Sequence, residues 1–140
     1  MWFSRKIVIV VVACALALVG CSRSKPAEPP GEGLRVIDIQ VGRSVGPDKT
    51  ITDATDTFSP ADTFYVAVLT EGAAAGFTLK ARWLYEDGQV VDEYLQNLTT
   101  VGPASTLFQL EKPDGWPAGG YFVEISLDGA PAGVRRFRVR

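Results

Sequence analysis

The chain has 140 residues, 46% of them apolar, which is enough for one domain with a buried core. Its formal charge is −2, from 14 basic and 16 acidic side chains, so the balance gives no reason to expect nucleic acid as a partner. Histidine is absent, which removes the usual general base, the commonest transition-metal ligand and any Ser-His or Cys-His nucleophile pair.

Residues 1–20 have the layout of an export signal. Arg5 and Lys6 supply a basic start. Ile7 to Val19 is an apolar run of roughly 13 residues, short of the ~20 needed to span a bilayer. It ends in Leu18-Val19-Gly20-Cys21. This tetrapeptide resembles the bacterial lipobox, and the resemblance covers the whole of residues 1–21. It implies cleavage between Gly20 and Cys21, a thioether-linked diacylglycerol on Cys21, and usually a further acyl chain on the new amino terminus. Two or more chains give stable anchoring where one does not. Loss of Arg5 and Lys6 would leave a net charge near −4. The alternative is an uncleaved N-terminal membrane helix with Cys21 as an ordinary thiol. The short run and the polar sequence after it count against that.

Residues 21–33 follow as the lipidated cysteine and a proline-rich linker. Ser22 to Gly33 contains three prolines and no aromatic or β-branched residue, so it cannot bury enough apolar surface to order itself. Its twelve residues reach up to roughly 35 Å if extended. Ser22, rather than aspartate, follows the cysteine. By resemblance to enterobacterial lipoproteins this implies release to the outer membrane where two membranes exist. The expected location is therefore the bacterial cell envelope, with the membrane as a partner through the anchor on Cys21.

Residues 34–140 read as strands and turns, with no sustained helical period. The first expected strand is Leu34–Val41, with Ile37, Ile39 and Val41 on one face. Residues 42–60 read as a long loop, with a short strand near Lys49–Thr52. Asp62–Thr70 alternates Phe64, Val66 and Val68 against Tyr65, Ala67 and Leu69. In Phe77–Tyr85 the residues Phe77, Leu79, Ala81, Trp83 and Tyr85 share one face, the period of a half-buried antiparallel strand. Asp87-Gly88 signals a hairpin, returning through Gln89–Gln96 as a polar edge strand. Ser105–Leu110 is next, with Phe108 and Leu110 inward. Pro113 to Gly120 forms a corner. Tyr121, Val123, Ile125 and Leu127 alternate along the following strand, and Val134–Val139 closes the sheet. About seven strands predict an all-β, immunoglobulin-like antiparallel sandwich.

Particular residues carry that likeness. Trp83 stands where the core tryptophan of the third immunoglobulin strand stands. Gly119-x-Tyr121-x-Val123 resembles the tyrosine corner, with Val123 at the second cysteine's place and Val66 or Val68 at the first's. Both cysteines are thus replaced by aliphatics, and Pro117 occupies the position of the usual acid. The chain also resembles small bacterial lipoproteins with one such domain, through Tyr85-Glu86-Asp87-Gly88 and Trp116 to Tyr121. That group carries no assigned activity, so the resemblance implies fold and address alone.

Chemistry is sparse. The acidic pairs Glu86/Asp87, Asp92/Glu93 and Asp53/Asp56 lack calcium-loop spacing and read as turn or solvated positions. Asp48, Asp53, Asp56 and Asp62 are the remaining metal candidates in the loops. No nucleophile elbow or phosphate-binding glycine motif is present. Asn97-Leu98-Thr99 matches a glycosylation sequon, whose use a bacterial lipobox argues against. Arg136, Arg138 and Arg140 share the outward face of the last strand, either to bind acidic groups or to protect an edge. Trp116 either covers the end of the sandwich or is an exposed contact. No cofactor or metal is expected. The expected activity is non-enzymatic: a membrane-anchored binding or structural module whose partner is an envelope protein or polymer. The alternatives are an accessory subunit of an envelope enzyme or transporter complex, and a hydrolase.

Overall fold

A computed structural model describes residues 33–140. The expected signal segment, the Gly20-Cys21 cleavage site and residues 21–32 of the linker lie outside the described residues. Eight strands follow in order: β1 (Arg35–Gly42), β2 (Thr57–Phe58), β3 (Phe64–Glu71), β4 (Ala74–Tyr85), β5 (Val90–Thr100), β6 (Ala104–Leu110), β7 (Gly119–Leu127) and β8 (Ala130–Val139). They form a three-stranded sheet, β1-β3-β6, facing a five-stranded sheet, β2-β8-β7-β4-β5. Every pairing except the short parallel contact of β2 with β8 is antiparallel.

The period-two strands place the core where their sequences predict. Phe64, Val66 and Val68 from β3, Leu79, Ala81 and Trp83 from β4, and Val123 and Ile125 from β7 are buried. Phe108, Leu110, Phe137 and Val139 also point inward, as expected. Asp87-Gly88 closes the β4–β5 hairpin: Gly88 N donates to Tyr85 O at 2.8 Å and Tyr85 N to Gln89 O at 2.9 Å. β5 is an edge strand, as its polarity predicts, and runs four residues beyond Gln96 to Thr100. Asp128 (φ 48°) and Gly129 (φ 82°) join β7 to β8. Two successive left-handed residues match the twist of a two-residue hairpin, and Asp and Gly are the types that accept them.

Three expectations need correction. Ile37 does not face the core with Ile39 and Val41. The β1–β3 register steps from Val36–Thr70 to Asp38–Leu69, so Ile37 is the extra residue of a bulge and is 51% exposed. The bulge resets the alternation, so that Leu34 and Val36 before it and Ile39 and Val41 after it meet the core. The strand count is eight rather than seven, because Thr57–Phe58 pairs with Arg138–Val139 and buries Phe58. The last strand starts at Ala130, four residues before Val134.

The long segment after β1 is an ordered excursion. Isolated bridges join Gly42 to Ala54 and Val45 to Ile51, so the expected short strand survives only as a single bridge at Ile51. At its tip the Ser105 hydroxyl, on β6, donates to Lys49 O at 2.6 Å. The excursion thus folds back over the outer face of the small sheet, and Ala67 on that face is fully buried.

Both poles of the sandwich follow from the strand directions. β1, β4, β6 and β8 run toward one pole, where Phe64, Tyr85, Leu110 and Tyr121 gather. Leu34, the β3–β4 turn and Asp128-Gly129 lie at the other.

Candidate functional site

The aromatic pole is built outward from Phe64. Its ring stacks on Trp116 at 4.4 Å and 20°, and meets Phe58 and Phe137 edge-on at 4.8 and 4.7 Å. Offset and edge-to-face pairs of this kind add to what area burial alone supplies. Trp116 is 5% exposed and its Nε1 donates to Asp62 O at 2.9 Å, so it covers the end of the sandwich. Trp83 is also buried, and its Nε1 has no hydrogen-bond partner among the described residues.

Tyr121 makes the tyrosine corner. Its hydroxyl donates to Pro117 O, four residues upstream, at 2.8 Å. Accepting through a backbone carbonyl is why proline serves at that position. Tyr85 crosses Tyr121 edge-on at 5.0 Å and donates to Ala118 O at 2.9 Å. Gly119 passes beneath this pair with φ 144°, and a Cβ there would collide with the Tyr85 hydroxyl. Glu86 Oε2 accepts from Gly120 N at 2.7 Å, pinning the hairpin to the start of β7. Tyr121→Phe is expected to lower stability by about 1 kcal/mol, since the lost bond is neutral and Pro117 O keeps partial access to water. Thermal melting of the two chains measures this.

Between these elements opens a concave site of about 510 Å³, lined by the Tyr85–Asp92 hairpin, Leu110 to Lys112, and Trp116, Pro117 and Tyr121. Val90, Val91 and Leu110 give it apolar walls, with Asp87, Asp92, Glu111 and Lys112 at its polar margin. Asp87 caps the turn by accepting from Gln89 N at 2.9 Å, and Asp92 accepts from the Tyr94 hydroxyl at 3.0 Å. Burial, then the charges of Glu86 and Asp87, push the Tyr85 phenol above its ordinary value. Burial, then Tyr85 and Glu86, do the same to Tyr121. The hydrogen bond to Asp92 raises Tyr94. The three phenols therefore stay neutral donors, and the margin carries three carboxylates to one ammonium. Such a surface suits a partner that brings cationic or donor groups to an apolar, aromatic floor.

The structure leaves the other candidate residues apart. Asp48 accepts from the Thr50 hydroxyl, which holds its carboxyl below the usual value. Asp53 pairs with Arg43, Asp56 accepts from the Thr57 hydroxyl, and Asp62 caps Ser59 N. Among the described residues no group of three His, Cys, Asp or Glu converges as a metal ion requires. Arg136 lies over the Phe122 ring at 5.3 Å, and Arg138 and Arg140 are exposed on β8 or just after it. The residue that sequence reasoning missed is Arg135. It sits on the inward-facing parity of Phe137, reaches across to β1, and donates to Ile39 O at 2.7 Å and Asp38 Oδ1 at 3.3 Å. Residues 42–58 do not line the concave site.

No family model matches the chain, and no curated protein matches it in sequence. Solved structures do. An immunoglobulin-like protein from Pseudomonas aeruginosa superposes with a TM-score of 0.57 at 16% identity, over 79% of this chain and 99% of that one. The domain is immunoglobulin-like. The alkylpurine DNA glycosylase AlkC of Pseudomonas fluorescens, bound to DNA containing an abasic site analogue, is similar with a TM-score of 0.53 and 11% identity. That match covers 79% of this chain and spans 31% of the glycosylase's length. At such identities both likenesses concern the fold alone. They agree with the buried Trp83, the Tyr121 corner, and Val66, Val68 and Val123 buried in facing sheets.

Proposed function

We propose that this chain is a lipid-anchored lipoprotein of the bacterial envelope, and that its immunoglobulin-like domain acts without catalysis by binding an envelope protein or polymer. The anchor rests on Leu18-Val19-Gly20-Cys21 and its flanks. The binding role rests on one observation: the concave aromatic site lies at the pole opposite Leu34, where the linker joins the domain. In a single copy, a tether at one end and a recess at the other leave the recess clear of the lipid surface.

Cys21→Ala is expected to abolish incorporation of radiolabelled fatty acid and to leave an uncut precursor. Labelling that persists would remove the anchor assignment. For the recess, a photo-crosslinking residue at Lys112, which lines it away from β5, is expected in intact cells to capture a discrete neighbour other than a second copy of this chain, while the same residue at Thr78, near the tethered pole, captures none. Equal capture at both positions would sink the binding role. If the captured neighbour is a subunit of an enzyme or transporter, the domain is an accessory subunit, the variant of this reading that gene neighbourhood would corroborate.

A further inference from the structure

The margins of the two sheets are protected very differently. β8 carries Pro131, a register shift and several arginines, and β2 covers its end. β1 carries the Ile37 bulge and Asp38. β6 has only 7 residues, and Gln96 Nε2 caps its Leu107 O at 2.8 Å. β5, by contrast, is an 11-residue margin with no lysine, arginine or proline. Register shifts lie at both ends of its pairing with β4, at Trp83/Leu84 and at Ala74/Phe77, and between them the ladder runs unbroken from Asp92 to Leu98. Five of the seven exposed large apolar side chains lie on it or just after it: Val90, Val91, Tyr94, Leu95 and Val101. Soluble proteins ordinarily blunt so long and regular an edge.

We propose that two copies of this chain pair antiparallel through β5, centred on Leu95, joining their five-stranded sheets into one. A two-fold axis normal to the sheet keeps outer face against outer face, so residues facing each other share parity and the register is centred on a residue. Centres at Asp92 or Glu93 would set each carboxylate against its own copy, which is unfavourable. Leu95 is the midpoint both of Val90–Thr100 and of the unbroken Asp92–Leu98 ladder, so that centre pairs the whole of the regular ladder. It sets Glu93 opposite Asn97, Asp92 opposite Leu98, Tyr94 opposite Gln96, and Leu95 against itself. Both acids lie in one half of the strand and both amides in the other, so every carboxylate escapes its like. The same register brings the opposite ends of the two strands together, with Val101 of the second copy, 99% exposed in the single chain, near Val90 and Val91. The edge thus sets no carboxylate opposite another and covers its own apolar side chains.

The test uses the full chain in detergent, with a Leu95→Cys variant. Directly opposed residues of an antiparallel pair lie about 4.5 to 5.5 Å apart at Cα, within reach of a disulfide. Under mild oxidation Leu95→Cys is expected to convert largely to a disulfide dimer. Val134→Cys, also exposed (44%) but on another strand, is not. The parent chain, run in parallel, reports any disulfide through Cys14 or Cys21. A mixture of Glu93→Cys and Asn97→Cys chains is expected to cross-link where neither does alone. Leu95→Lys is expected to shift sedimentation from dimer to monomer with an unchanged melting temperature, because the side chain is 60% exposed. A parent chain that is monomeric at about 100 μM, a dimer that persists in Leu95→Lys, or cross-linking no better than at Val134 would each overturn the proposal. So would β5 amides that gain protection from exchange only when envelope extract is added, which would assign the edge to a different protein.

Discussion

Phe64→Ala is expected to destabilise the domain by about 4 kcal/mol, the middle of the range for buried phenylalanine. The ring has no solvent exposure and touches both sheets and the end cover at once. Its neighbours are Phe58, Trp83, Trp116, Tyr121 and Phe137. These neighbours come from five separate chain segments, so none can move in to fill the space without giving up contacts elsewhere. The loss would be transfer and cavity terms together, with little relaxation to soften it. For a domain of this size it corresponds to a drop of roughly 20 °C in melting temperature. Phe64→Leu, which keeps most of the volume, should cost less than half as much. Calorimetry on the three chains checks the series, and a Phe64→Ala chain that melts within a few degrees of its parent would show that the aromatic cluster is not the stabilising centre.

Trp116→Ala carries the second-largest expected effect, about 3 kcal/mol, from a lost stack on Phe64, an exposed Phe64 face, and Asp62 O left without its indole donor. Trp116→Phe should recover part of this by keeping an apolar ring over Phe64. The pair separates a cover from a contact. A cover loses stability in proportion to the ring removed, whereas a tryptophan offered to a partner would lose binding and leave melting unchanged. Urea denaturation followed by the fluorescence of Trp83 reads the first quantity, since that indole remains in both variants.

What the sequence discloses about this fold is what depends on near neighbours. The face of Phe77–Trp83, the Asp87-Gly88 hairpin and the inward set Phe108, Leu110, Phe137 and Val139 are set by period and turn chemistry within a few residues, and each stands as expected. The tyrosine corner, which the resemblance of Gly119-x-Tyr121-x-Val123 implies, is likewise a contact of four residues' span. Features decided across the chain are not legible. The Ile37 bulge is a property of the β1–β3 register, and an isolated strand sequence shows only alternation. Phe58 stands alone among Thr, Asp and Ser, so no period marks it, and its burial depends on β8, some eighty residues later. Arg135 shares the inward parity of Phe137, but its acceptor is known only once Ile39 is seen to lie across from it. The concave site was half visible: Trp116 and Tyr121 stand out as aromatics in a Gly/Pro corner, but Val90, Val91 and Leu110 join them only because the β4–β5 hairpin and the end of β6 reach the same pole.

That separation of poles has a mechanical side. The chain enters at Leu34 and runs directly into β1, whose neighbour in the sheet is the antiparallel β3. Tension between the entry point and anything gripping the Trp116 end would act along the strand axis. The backbone bonds from Arg35–Glu71 to Gly42–Tyr65 would then be strained together in shear, and they would have to fail together. A pull across the strands would instead open them one at a time. Under the proposed anchoring, the direction of fastening would be the direction in which the sheet resists force best.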